Sequence, residues 1–315
     1  MKVALVTGAD GGMGRPICRA LLQQGYSLVM ACLSKEAAMP FFKELQAQVA
    51  QGTHSEETQR VWLGQLDLAS FASIDRFVDG LSDQGVPFAL HRLVHNAGVL
   101  PKHTYLTADG LEMIAQVNFA AAFRLTGRLL PRLAQGAREA EGARVMFTVS
   151  CTVYFGLFSR LGPRFLTRVP TTWAGRVVRY GDSKRAIYLA SRHLAEDLEP
   201  YQIQVVSTDP GAVDTPMITM NNGLDPLVNK LFRPLLSTPE QGAATAIYLA
   251  TASAYALPDA HGGTYLHRKR RTFYVPISGK RPLWAAPFLS YCQKSLGADS
   301  ESSSPAHTFP RETNT

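Results

Sequence analysis

The segment TGADGGMG, Thr7 to Gly14, restricts this chain more than any other stretch of it. It follows a β-branched run, Lys2 to Val6, and opens into an amphipathic stretch, Met13 to Gln24. Glycines there let the backbone turn tightly and approach a pyrophosphate, whose charge the start of a helix favours. The reading is a dinucleotide cradle built from Thr7, Gly8, Asp10, Gly12, Met13 and Gly14. Two spacings stay open, because Gly8, Gly12 and Gly14 fit TGxxxGxG while Gly8, Gly11 and Gly14 fit TGxxGxxG.

The rest of the chain alternates in the same way. Strands are expected near Lys2 to Val6, Ser27 to Cys32, Val61 to Leu66, Leu90 to His95, Arg144 to Ser150, Gln202 to Ser207 and Thr264 to His267. Helices are expected over Met13 to Gln24, Glu36 to Gln51, Ser70 to Asp83, Leu111 to Leu133, Tyr180 to Leu198 and Pro239 to Thr251. That alternation predicts an α/β fold: a Rossmann-like, doubly wound parallel sheet of about seven strands with helices on both faces. With 315 residues, 46% of them hydrophobic, and no linker in the middle, a single domain over 1–296 is expected. The polar stretch from Gly297 to Thr315 offers too few apolar groups to offset ordering and is read as a disordered tail.

Other function classes find little support. No apolar run approaches the roughly 20 residues of a membrane span, and the first strand begins at Lys2, so a cytoplasmic protein without a leader is expected. Cys18, Cys32, Cys151 and Cys292 lack metal-ligand or disulfide spacing, so no metal site is expected. The net charge of +7 gathers at His267 to Arg271 and between Arg160 and Arg179; the first run reads as solvated surface, with nucleic acid not expected as a partner.

In a doubly wound sheet the ligand sits beyond the carboxyl ends of the strands. There the chain places Asp67 and Leu68, positioned for the adenine, then Asn96, Ala97 and Gly98. Further on, YGDSK sets Tyr180 and Lys184 four residues apart, on one face of a helix. An ammonium beside a phenol favours phenolate and lowers its pKa, making Tyr180 fit to exchange a proton with a substrate oxygen. Taken together, TGxxxGxG, the following Asp, NAG, a Ser and YxxxK resemble the classical short-chain dehydrogenase/reductase family from Lys2 to about Leu266.

That resemblance implies an oxidoreductase moving hydride between a nicotinamide and a carbonyl or alcohol carbon. Its RVVNVSS-like pattern, counted from Arg144, implies Ser150 as the residue holding the substrate oxygen, with Cys151 the rival one position on. It implies that Asn118 bends its helix and holds a water in a relay to Lys184, that Tyr180 and Lys184 also meet the cofactor, and that Pro210, Gly211, Val213 and Thr215 orient the nicotinamide. It further implies a homo-oligomer. Catalysis is thus expected of Asn118, Ser150, Tyr180 and Lys184.

Three departures bear on specificity. The interval from Ser150 to Tyr180 carries an arginine-rich insertion, 157–179, resembling retinol-dehydrogenase-like members, as does the C-terminal extension 267–296. Its arginines either sit in solvent or bind an anionic group on the substrate. The segment 212–237 holds many apolar residues in the position of a substrate lid, pointing to a small, mainly apolar carbonyl or alcohol; a membrane-surface helix is the other reading. After the second strand ACLSK has no acid at Cys32 or Leu33, while Ser34 and Lys35 face the expected 2′-phosphate, which favours NADP(H) over NAD(H). Alternative functions are a non-catalytic NADP-binding regulatory protein and an epimerase or dehydratase using the same Tyr and Lys.

Overall fold

The computed structural model describes residues 1–51, 59–153, 163–214, 236–254, 256–257, 261–266, 269–271 and 285–297. Eight strands form one sheet: β1 (Lys2–Thr7), β2 (Tyr26–Cys32), β3 (Val61–Gln65), β4 (Arg92–His95), β5 (Ala143–Thr148), β6 (Ile203–Asp209), β7 (Thr264–Leu266) and β8 (Lys269–Arg271). Their order is β3-β2-β1-β4-β5-β6-β7-β8. The first seven are parallel, as expected, and β8 adds antiparallel to β7, pairing Thr264 with Arg271. Part of the basic run read as solvated surface is therefore an edge strand, a position where charge discourages further pairing.

The helices are α1 (Gly14–Gln23), α2 (Lys35–Gln51), α3 (Phe71–Asp83), α4 (Met113–Ala115), α5 (Ala121–Ala137), α6 (Trp173–Leu198), α7 (Pro239–Thr251) and α8 (Ala286–Gly297). Apolar side chains fill both faces of the sheet. On one side Ile17, Leu21, Phe41, Leu45 and Leu249 cover Ala4, Val6, Leu28 and Met30. On the other Ile74, Phe123, Leu129, Ile187 and Leu194 cover Val3, Leu5, Leu93, Val145 and Phe147. The near-continuous apolar runs of β1 and β2 have this cause, since a parallel sheet is buried on both faces.

Two helices differ from expectation. The stretch read as one helix from Leu111 to Leu133 is broken by a π-helical turn, Gln116–Ala120, between α4 and α5. Asn118 lies inside it, so periodicity ran through while the hydrogen-bond ladder slipped by one residue. The helix expected to start at Tyr180 begins at Trp173, where the Thr172 side chain accepts the Gly175 N–H. An unforeseen helix, α8, closes the outer side of α5. Phe288 meets Phe119 edge-on at 4.9 Å, Cys292 approaches the Phe123 carbonyl, and Gly127 makes room for the Tyr291 ring. The expected tail from 298 onward lies outside the described residues.

Strand order reverses between β1 and β4, both of whose carboxyl ends therefore open onto one crevice. The site lies there.

Candidate active site

The turn after β1 is shaped by what a side chain would strike. Gly8 has φ +60°, and a Cβ on it would come within 3.2 Å of Ala97. A Cβ on Gly14 would collide with the Gly8 carbonyl oxygen and stand 2.8 Å from that of Ala9. Both positions of the motif thus need glycine, whichever spacing is chosen, and Gly11 and Gly12 present exposed backbone. Met13 caps α1 without a side-chain bond. Asp10 uses its carbonyl on Arg15 Nε at 2.9 Å.

Asn96 ties the neighbouring loop to this turn. Its Nδ2 donates to the Thr7 and Gly8 carbonyls, each at 3.1 Å, while Thr7 Oγ1 accepts the N–H groups of Asn96 and Ala97. Asn96 Oδ1 is buried with no partner among the described residues, an acceptor left open beside the turn that Nδ2 of the same side chain binds. Asp67 Oδ1 accepts the Ala69 N–H at 2.8 Å, and the Leu68 side chain belongs to the core, leaving its backbone for a ligand. The residues present therefore fit a dinucleotide.

The four residues expected to be catalytic converge. The Ser150 hydroxyl stands close enough to the Tyr180 phenol to favour its ionised form. Asn118 Oδ1 accepts the Val99 N–H at 2.7 Å, and its Nδ2 donates to the Val99 carbonyl and to Ser183 Oγ, both at 3.1 Å. Gly98 brings that loop close: a Cβ on it would lie 3.4 Å from both Asn118 Oδ1 and Lys184 Nζ. Lys184 Nζ donates to the Thr148 carbonyl at 2.9 Å and lies 5.6 Å from the centre of the Tyr180 ring. Cys151, the rival to Ser150, is exposed.

One electrostatic expectation is reversed. Burial pushes the Tyr180 phenol above the ordinary tyrosine value, the neighbouring Cys151 and Asp209 add to this, and the nearby Ser150 hydroxyl opposes it. Lys184, whose ammonium is turned to the Thr148 carbonyl, is brought down to about 8 by burial, against the pull of Asp209. Burial thus favours the protonated phenol at Tyr180.

Positions flanking the centre are sorted by the geometry. Ser34 Oγ donates to Glu36 at 2.8 Å and accepts the Ala37 N–H, so it serves the start of α2, and the exposed Lys35 is a cation at this end. Arg179 donates to the carbonyls of Phe165 and Arg168 and stands 3.8 Å from the buried Glu112, stapling the insertion beside Tyr180. It is withdrawn from substrate, whereas Arg164 and Arg168 are exposed. Gly211 takes φ +74° in the turn after β6. Val213 is buried against α7, where a Cβ on Gly242 would strike it, so only its backbone is free for a ligand. The ends of the expected lid are paired, Asp214 N–H to Ser237 O and Ser237 N–H to Ala212 O, each at 2.9 Å. Thr215 and residues 215–235 lie outside the described residues, as does Arg160. Sequence reasoning passed over Asp209, although DPG displayed it.

A doubly wound sheet with a glycine cradle at its switch point defines a dinucleotide-binding protein. Residues 2–159 match the model of the family described as short chain dehydrogenase. Polyprenol dehydrogenase of Danio rerio is 34% identical over 281 residues, spanning 86% of this chain and 79% of that protein. Retinol dehydrogenase 11 of Mus musculus is 32% identical over 253 residues, 79% of this chain and 73% of that one. Among solved structures, the Pseudomonas aeruginosa RhlG/NADP active-site complex superposes with a TM-score of 0.59 at 26% identity, covering 84% of this chain and 93% of the other. The chain belongs to the short-chain dehydrogenase family, on its retinol-dehydrogenase-like side. It is an oxidoreductase that moves hydride between a nicotinamide and a CH–OH or C=O carbon.

Proposed function

We propose that this enzyme interconverts an apolar carbonyl compound and its alcohol, with Tyr180 as general acid and base. The observation that carries the reading is the convergence of Lys184 beside the Tyr180 ring with Asn118 and the Gly98 loop closing around them. Ser150 holds the substrate oxygen against the Tyr180 hydroxyl, and in reduction Tyr180 gives its proton to that oxygen as charge develops there. A nicotinamide bound in the crevice supplies or accepts the hydride. Asn118 fixes the loop after β4 against α6, and its place inside a π-turn supports a water relay from this point to Lys184. Tyr180→Phe should lower turnover by roughly 10²–10⁴-fold while leaving cofactor affinity near wild type. Undiminished loss of NADPH absorbance over a panel of aldehydes and ketones would sink the assignment.

The substrate reading rests on the apolar residues of 212–237 and on the names of the relatives, polyprenol and retinol dehydrogenase, which support an isoprenoid alcohol or its carbonyl. If the substrate carries an anionic group, Arg164 and Arg168 are the cations to meet it, and alanine at both should discriminate between matched neutral and carboxylated compounds. For the cofactor we read NADP(H), on the lack of an acid at Cys32 and Leu33 and on Lys35; tighter binding of NADH to the apoprotein would reverse this. Four free cysteines support a reducing compartment, hence the cytoplasm. Among the described residues no helix is long and apolar enough to cross a membrane. A homo-oligomer would have to use a surface other than the outer face of α5, which α8 occupies.

A further inference from the structure

A carboxylate that this chemistry does not use lies among the reacting groups. Asp209 ends β6 and is 1% exposed. The register pairs Thr208 with Thr148, whose carbonyl receives the Lys184 ammonium, so Asp209 stands abreast of the step into Val149 and Ser150. Its Oδ1 accepts the Gly211 N–H at 2.8 Å, bracing the turn in which Gly211 is left-handed. Three titratable groups face it: Tyr180 and Lys184 from α6 and Cys151 from the segment after β5. Water screens a charge buried this deeply only weakly, so it is felt by its neighbours.

A negative charge there acts with one sign on all three. It stabilises the Lys184 ammonium and opposes formation of the Tyr180 phenolate and the Cys151 thiolate. Carbonyl reduction consumes a proton at the substrate oxygen, so the donor must begin protonated; alcohol oxidation releases a proton to a phenolate. We propose that Asp209 is a positioning residue whose carboxylate braces the Pro210–Gly211 turn and whose charge keeps protons on the Tyr180–Lys184 pair, biasing the site toward carbonyl reduction. This rests on the reading of Tyr180 as the proton-transfer group.

Asp209→Asn is the test, since the amide oxygen can still accept the Gly211 N–H while the charge is gone. Two quantities are read: the pH dependence of alcohol oxidation, and the tyrosinate ultraviolet band of the apoprotein, taken as the difference from a Tyr180→Phe background. Both should move to lower pH by about one unit, the size of a single buried charge, with Asp209→Glu staying near wild type. No shift in either, even with reduced activity, overturns the proposal and leaves only the brace. Should Asp209→Asn fail to fold, Asp209→Ser takes its place with the same two readouts, and the absence of a shift in it overturns the proposal. Full activity in Tyr180→Phe would instead defeat the underlying assignment.

Discussion

Replacing Gly14 with alanine tests the cradle most sharply, because the helix itself would prefer the substitution. Alanine in a helix is better than glycine by roughly 0.8–1.0 kcal/mol, and on propensity alone Gly14→Ala should stabilise the protein. The local geometry says otherwise. The new methyl would overlap the Gly8 carbonyl and stand 2.8 Å from the Ala9 oxygen, and both obstacles are backbone. A side chain could swing aside, but here the turn must move, and overpacking of this kind costs about 1–3 kcal/mol. Moving the turn displaces the groups that would receive the pyrophosphate, so the same figure reappears in binding as a loss of roughly 5–150-fold in cofactor affinity, on the scale of about 1.4 kcal/mol per decade. Gly11→Ala is the control, its nearest obstacle being the Gly8 oxygen at 3.2 Å, where a shift of a few tenths of an ångström suffices. Fluorescence titration with NADPH and a thermal melt of each variant supply the two numbers. Gly14→Ala binding within twofold of wild type, with an unchanged or raised melting temperature, would refute the steric argument.

Two further outcomes follow from buried groups. Lys184 has its pKa lowered to about 8, whereas in the unfolded chain a lysine keeps about 10.4. Below pH 8 both states hold the proton and folding bears the burial cost in full; between the two values the unfolded state binds more protons, so stability rises with pH. Lys184→Met should therefore raise the unfolding free energy at pH 7, by on the order of 1–3 kcal/mol after loss of the Thr148 hydrogen bond, while abolishing turnover; a lower unfolding free energy would contradict the burial argument. Phe288→Ala empties a site 3% exposed against Phe119 and should cost about 3–5 kcal/mol in urea unfolding, and a cost below about 1 kcal/mol would mean that α8 does not hold α5.

How much of this was legible beforehand depended on whether the signal was local. A strand, a glycine turn and a helix start lie within thirteen residues, and side chains there meet their own neighbours, so the cradle and the seven parallel strands could be read directly. Tyr180 and Lys184 share a helical face by spacing alone. The helix α8 also left a local trace, Ala285, Phe288, Leu289 and Cys292 at helical spacing, which was overlooked. Other features had none. The π-turn at Asn118 depends on where the hydrogen bonds of one helix slip, and its side chain is held by Val99, nineteen positions away. Arg179 looked like one more cation of a basic segment until its carbonyl and Glu112 partners were placed around it.

What the sequence by itself determined was the architecture and the family, and it pointed to a cofactor cradle and a Tyr180–Lys184 pair, because each is encoded by residues adjacent along the chain. The tertiary structure alone decided their electrical state. Spacing brings an ammonium to a phenol and argues for a lowered pKa. Burial of both groups, with Lys184 turned toward Thr148, reverses that sign. Electrostatics in a folded protein is a sum over neighbours in space and over the water they exclude, and neither is written in the order of the residues.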